Sequence, residues 1–328
     1  MNTFPTLLKR EFWEHKGGML WAPVVVGGIM GLFAAGSMLF GATMARENMV
    51  GINGVRVSNL GEAIPPDKIA EVGAVMSFSY LPALMPFLAI LTFVVLFYSL
   101  GSLYDDRRDR SVLFWKSMPV SETTSVLAKL TSILLVAPTL SLALGVIFGF
   151  GLVMMSTVTA SVLGANLFGA VFSTSSVYTM PLGILSMVPV YALWALPSVA
   201  WFMLVSAWAK RAPFLWAVGV PVLSGIILSW SEAMFKAGLP HEWYWENVIG
   251  RLFGSIVPGV FFAYGNTDAL EQQVQLIEAN GPTSFALGQW VLAGYQTLAT
   301  PTVWIGLALG IAMLALAIRL RRWREDAA

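Results

Sequence analysis

The chain contains no cysteine, so it can hold neither a disulfide nor a thiolate-bound metal. That absence leaves its redox compartment open. Histidine is nearly absent as well, with only His15 and His241. His241 begins the run His-Glu-Trp-Tyr-Trp, which starts like the zinc-hydrolase pattern H-E-x-x-H. The second imidazole, needed one turn later on the same helix face, is replaced by Trp245. Glu242 and Glu246 therefore read as a solvated rim beside Trp243 and Trp245, and no metal site is expected. There is no G-x-x-x-x-G-K-[ST] phosphate loop, which excludes ATP hydrolysis by that device. Charge is scarce too. Asp, Glu, Lys and Arg make up 11% of the 328 residues, against about a quarter in a soluble domain.

What is present is apolar and arranged in blocks. Hydrophobic residues make up 57% of the chain. About 20 consecutive apolar residues cross a bilayer core as a helix, and six such blocks occur: 19–43, 76–103, 126–155, 181–207, 214–234 and 301–318. Lipid cannot satisfy open backbone groups, and these blocks lack the alternation of barrel strands, so they read as helices. The first block follows Lys9, Arg10 and Lys16 but runs about 25 residues without a clean cleavage site, which makes it a span rather than a signal peptide. The expected fold is an all-α integral membrane protein, a single membrane domain over residues 1–328.

The basic residues set the expected orientation. Six spans put both termini on one side. That side carries fourteen Lys and Arg with eight acids, and the opposite side five with ten acids, Arg251 being counted there. The excess places both termini in the cytoplasm. Because these basic residues flank spans, no nucleic-acid partner is expected.

The connections carry further information. In residues 1–18 an amphipathic pattern of Phe4, Leu7, Leu8, Glu11/Phe12 and His15 predicts a short helix in the inner interface. The Ser/Thr-rich but apolar stretch 156–180 is expected to be a loop lying on the membrane. Within the outer segment 237–300, the stretch VIGRLFGSIVPGVFFAY (248–264) is apolar, short for a span and broken at Pro258-Gly259. It is expected to be re-entrant. Residues 268–279 read as a polar helix with Leu270, Val274 and Ile277 on one face.

Gly27–Gly31–Ala35, Gly145–Gly149 and Gly306–Gly310 form small-xxx-small faces suited to close helix packing. Trp194, Trp201 and Trp208 recur every seven residues in the fourth block. The last fits an inner aromatic belt, and the first two are candidates for lining a pathway or for packing. No block has an ionisable residue near its middle, which weighs against ion coupling.

The segment 104–129, YDDRRDRSVLFWKSMPVSETTSVLAK, is the only long charged stretch between two strongly apolar blocks. Its acidic–basic run, the turn Ser117-Met118-Pro119-Val120-Ser121 and Lys129 at the head of the next span resemble the first cytoplasmic loop of ABC-2 type transporter permeases. The layout of spans, termini and outer re-entrant stretch is similar across the whole chain. Asp105-Asp106 and the long 237–300 segment depart from the family's commonest form. The resemblance implies a type V ABC exporter-like fold in the bacterial cytoplasmic (inner) membrane. It implies a second permease subunit, the same chain or another, surrounding lipid, and a separate cytosolic ABC ATPase that carries ATP-Mg. This chain itself would bind no cofactor. The resemblance makes 104–125 a coupling helix. Arg107, Arg108, Arg110 and Lys116 would face partner carboxylates, and Leu113, Phe114 and Trp115 would supply the apolar anchor. The implied function is ATP-driven export of an amphipathic or hydrophobic peptide, drug or lipid. Two other classes remain open. One is a membrane scaffold or sensor without transport. The other is a membrane-embedded lipid- or peptide-modifying enzyme, which would need clustered His, Asp, Glu or a nucleophile at one depth.

Overall fold

The computed structural model describes residues 3–48, 51–52, 55–56, 64–65, 68–109, 121–236, 238, 240–264, 267–280 and 285–323. The chain begins with an amphipathic helix, α1 (Thr3–Glu14), at the protein surface. Among the described residues six helices are long and apolar enough to cross a membrane. They are α2 (Gly17–Met44), α3 (Glu71–Arg108), α4 (Glu122–Val162), α5 (Ser176–Trp208), α6 (Pro213–Phe235) and, last in the chain, α9 (Pro301–Trp323). Between α6 and α9 lie a hairpin of short helical turns from His241 to Tyr264, then α7 (Thr267–Asn280) and α8 (Leu287–Gln296). The protein is thus an all-α, multi-pass membrane protein, and the polar helix expected over 268–279 is present as α7.

The helices run past their apolar blocks, α4 and α5 into a stretch read from sequence as a loop. The stretch expected to be a loop at 156–180 is mostly helical: α4 continues to Val162, a short helix spans Phe168–Ser173, and α5 starts at Ser176. The hydroxyls explain the extension of α4. Thr157, Thr159 and Ser161 each donate to the carbonyl four residues back, so these side chains stay on the helix and add little polarity to its surface.

Helix α5 is the axis of the bundle. Two thirds of its apolar window is buried (67%), against 6% for α2 and 17% for α6. The main core gathers around it, and a second cluster built on Tyr80, Val153, Val171 and Met180 closes the end away from the termini. The small-residue faces are seams within the chain. A Cβ at Gly310 would sit 2.5 Å from Leu196 Cδ2, and one at Gly149 would sit 2.5 Å from Tyr80 Cδ1. Glycine at these positions lets α9 lie on α5 and α4 on α3 at backbone contact distance. Pro221 lacks the N–H that would bond the Ala217 carbonyl. Trp201 Nε1 supplies that bond at 3.1 Å and so ties α5 to the break in α6.

The hairpin packs against α5 and α6. Tyr244 donates to the Pro221 carbonyl (3.0 Å), and Trp245 Nε1 donates to Ser229 Oγ (2.9 Å). Phe253 meets Phe202, about two thirds of the way along the segment Val188–Trp208. The chain then turns through Gly259, whose φ of +90° favours glycine, and returns. Before the turn Tyr191 donates to the Ile256 carbonyl at 2.9 Å, and on the return Tyr264 comes back beside Gly250.

Candidate functional site

Charged side chains are scarce in this chain, yet five of them meet at the end of the bundle where α1, the ends of α3 and α9, and the start of α4 converge. Lys129 Nζ lies 3.0 Å from Glu11 Oε1 and 3.4 Å from Asp106 Oδ1. Arg321 Nη1 lies 2.9 Å from Asp106 Oδ2, and its Nε contacts Glu122 Oε2 without hydrogen-bond alignment. Tyr98 donates to Glu11 Oε2 at 2.6 Å. Lys129 and Arg321 keep only 5% and 4% of their side-chain surface exposed, so these are buried ion pairs rather than solvated ones. Three carboxylates face two cations, which leaves the cluster one charge negative.

Local structure explains how each group arrives. Leu7 and Glu11 lie one turn apart on the buried face of α1, and Leu7 packs with Phe4 on Ala128 of α4. Docking that apolar contact carries the Glu11 carboxylate inward, next to Lys129. Ser121 caps α4 by accepting from the Thr124 N–H at 3.1 Å, which sets Glu122 in the first turn. On α9, Leu314, Ala317 and Arg321 share one buried stripe, so the guanidinium follows the apolar face down to the cluster.

A second set of contacts fixes the end of α3. Ser206 Oγ of α5 accepts from the N–H groups of Leu103 (3.0 Å) and Tyr104 (2.9 Å). Arg107 donates to the carbonyls of Ser206 and Ala209, the latter at 3.0 Å, where the C-terminus of α5 favours a cation. The stems on both sides of residues 110–120 are therefore held. One stem is clamped to α5, the other is ion-paired to α1 and α9, and Lys129–Asp106 joins the two.

The residues singled out from sequence fall as follows. Arg107 is the clamp on α5 just described. Arg108 is exposed and pairs with Asp105 (3.3 Å) and Asp109 (3.0 Å). Arg110, Leu113, Phe114, Trp115 and Lys116 lie outside the described residues. Trp194 is 1% exposed, and Trp201 bonds Ala217 across to α6. Sequence reasoning missed Glu11, Lys129, Glu122 and Arg321 as a unit. The available signal was an acid on the apolar face of α1 and an arginine on the apolar stripe of α9, each of which needs a counter-charge when buried.

Glu11, Glu14 and His15 bring potential ligand atoms within 4.8 Å of one another. Their carboxylates are already engaged, Glu14 by Arg10 and Glu11 by Lys129, so the grouping follows from the ion pairs. Compared with known protein families, curated proteins and solved structures, the chain matches none.

Proposed function

We propose that this chain is the permease subunit of an ABC-2 type exporter, and that segment 104–125 couples it to a separate cytosolic ATPase. The observation that carries this reading is the pinned stem. Lys129 binds Glu11 and Asp106, and Asp106 also binds Arg321, so a load on the loop reaches α1, α3, α4 and α9 together. A loop that served only to fix topology would need basic residues near the surface. It would not need three buried charges, Glu11, Lys129 and Arg321, ion-paired at its root with the part-buried Asp106 and Glu122.

In this reading both termini face the cytoplasm of a bacterial cell, and the hairpin His241–Tyr264 is re-entrant from the outer side. The largely uncovered helices α2 and α6 offer faces for a second permease subunit and for lipid. ATP-Mg resides on the ATPase, and this chain does no covalent chemistry. An apolar pathway suits an amphipathic or hydrophobic substrate.

The test uses tagged full-length chain purified from its native membrane. An ATP-binding-cassette subunit should co-purify. Trp115→Ala and Phe114→Ala should each weaken its retention roughly thirtyfold, the loss expected for a buried aromatic anchor worth about 2 kcal/mol. Absence of any such ATPase, or unchanged retention in both variants, overturns the proposal.

A further inference from the structure

By its place in the sequence Arg251 falls among the outer-side basic residues. In the fold its guanidinium sits inside the bundle. It lies over the Trp194 ring, 4.7 Å from the centroid, and Nη2 reaches Gly306 of α9, where a Cβ would come within 2.8 Å. A side chain larger than hydrogen at position 306 would displace it. Tyr264, on the returning arm of the hairpin, stacks at 5.6 Å on the same indole.

The hydrogen-bond account of this recess does not close. Arg251 Nε and Nη2 are buried without a partner, and so is Trp194 Nε1 on the ring beneath them. Ser255 Oγ, one turn further along the hairpin, is buried and unpaired as well. No described carboxylate pairs with the half-buried Arg251, whereas Lys129 and Arg321, which are fully buried, are both ion-paired. The indole face attracts the guanidinium but accepts none of its N–H bonds. Burial pulls the Arg251 pKa below its ordinary value, against the influence of Tyr264, and an arginine remains charged all the same. The recess thus presents donors on a positive charge and lacks an acceptor. Two enclosed guanidinium nitrogens without acceptors are costly, and a negatively charged oxygen group would satisfy them with charge-assisted bonds to the planar fork.

We propose that the Arg251–Trp194 recess binds the oxyanion of an acidic amphipath, a phosphodiester or carboxylate carried on an apolar tail. Trp194, Pro197, Gly306 and Tyr264 surround the guanidinium, and these uncharged neighbours suit the tail. The ligand is either an anionic lipid of the bilayer or an acidic amphipath entering from it. This binding does not depend on an ATPase partner, so it stands or falls separately from the function proposed above.

The full chain reconstituted in phosphatidylcholine nanodiscs provides the test. Phosphatidylglycerol, oleate and inorganic phosphate are the probes, read by thermal stabilisation and by native mass spectrometry of retained lipid. Phosphatidylglycerol or oleate should bind and raise the melting temperature, and phosphate, having no tail, should not. Retention of phosphatidylglycerol alone identifies the lipid source; binding of both identifies a general acidic-amphipath site. Arg251→Gln should weaken the bound probe at least about tenfold, the scale of a charged hydrogen bond. Arg251→Lys, which keeps the charge and loses the fork, should fall between. Arg251→Gln removes an unpaired buried charge, so it should fold at least as well as the parent without ligand. Equal binding of both amphipaths to parent and Arg251→Gln overturns the proposal. So does an Arg251→Gln chain that binds normally but loses stability or dimer content, because the acceptor is then a carboxylate of the protein.

Discussion

Lys129→Met is the sharpest probe of the ionic cluster. Methionine keeps the length and apolar stem of lysine and removes the charge. Lys129 Nζ lies 3.0 Å from one Glu11 oxygen, 3.2 Å from the other and 3.4 Å from Asp106. At an effective dielectric near 20, a unit pair at such distances attracts by about 5 kcal/mol before desolvation. Removing one partner of a buried ion pair typically costs about 3–5 kcal/mol, because the other charge is left stranded. In the variant, three carboxylates face Arg321 alone. Glu11 can escape only if α1 lifts off, against the packing of Leu7 and Phe4 on Ala128, of Phe12 on the main core and of His15 on Tyr98. The loss should therefore appear as local opening of α1 rather than global unfolding. Amide exchange on the nanodisc-reconstituted chain measures it. Protection over residues 7–14 should fall by at least about a hundredfold, the equivalent of about 3 kcal/mol, up to the full protection that α1 has. Amides of α5 should be unchanged. The defect should persist at high salt, since buried charges are poorly screened. Lys129→Met with Glu11→Gln should recover much of the loss, because the stranded carboxylate is gone. If α1 protection in Lys129→Met stays within twofold of the parent, or the double variant is no better than the single, the cluster does not hold α1 and the argument for a pinned stem fails.

Two further predictions are independent of that cluster. Gly310→Val should overpack the seam between α9 and α5 and cost about 1–3 kcal/mol, whereas Gly36→Val, with nothing within 4 Å of its Cβ, should leave the melting temperature unchanged; equal effects would refute the seam. The chain is free of cysteine, so single substitutions report cleanly on sidedness. Glu271→Cys should react with an impermeant thiol reagent in intact cells and Ser121→Cys only after lysis, and the reverse pattern would invert the proposed orientation.

The spans were legible because bilayer-length apolar blocks are a local property, and all six appear as helices. Their ends were less so. Hydroxyl side chains that bond back to the helix carry α4 past Met155, and Ser and Thr carry no apolar signal of their own. The glycine faces were legible as packing surfaces, though their mates, Leu196, Pro197 and Tyr80, were not. The charged sites were least legible, for a physical reason. Glu11, Lys129 and Arg321 are distant in sequence, and each looks like an ordinary interfacial charge within its own window. What distinguishes them is burial, which the packing of other segments confers. Arg251 shows the same limit at the opposite end, where its depth depends on a hairpin folding back at Gly259 and laying Phe253 on Phe202. The two sites are complementary in electrostatic terms. At the termini end the buried charges are mutually paired with one negative charge over, which favours a fixed structure that transmits load. At Arg251 a half-buried cation and its neighbouring indole N–H have donors and no acceptor, the arrangement that a negatively charged ligand oxygen would complete.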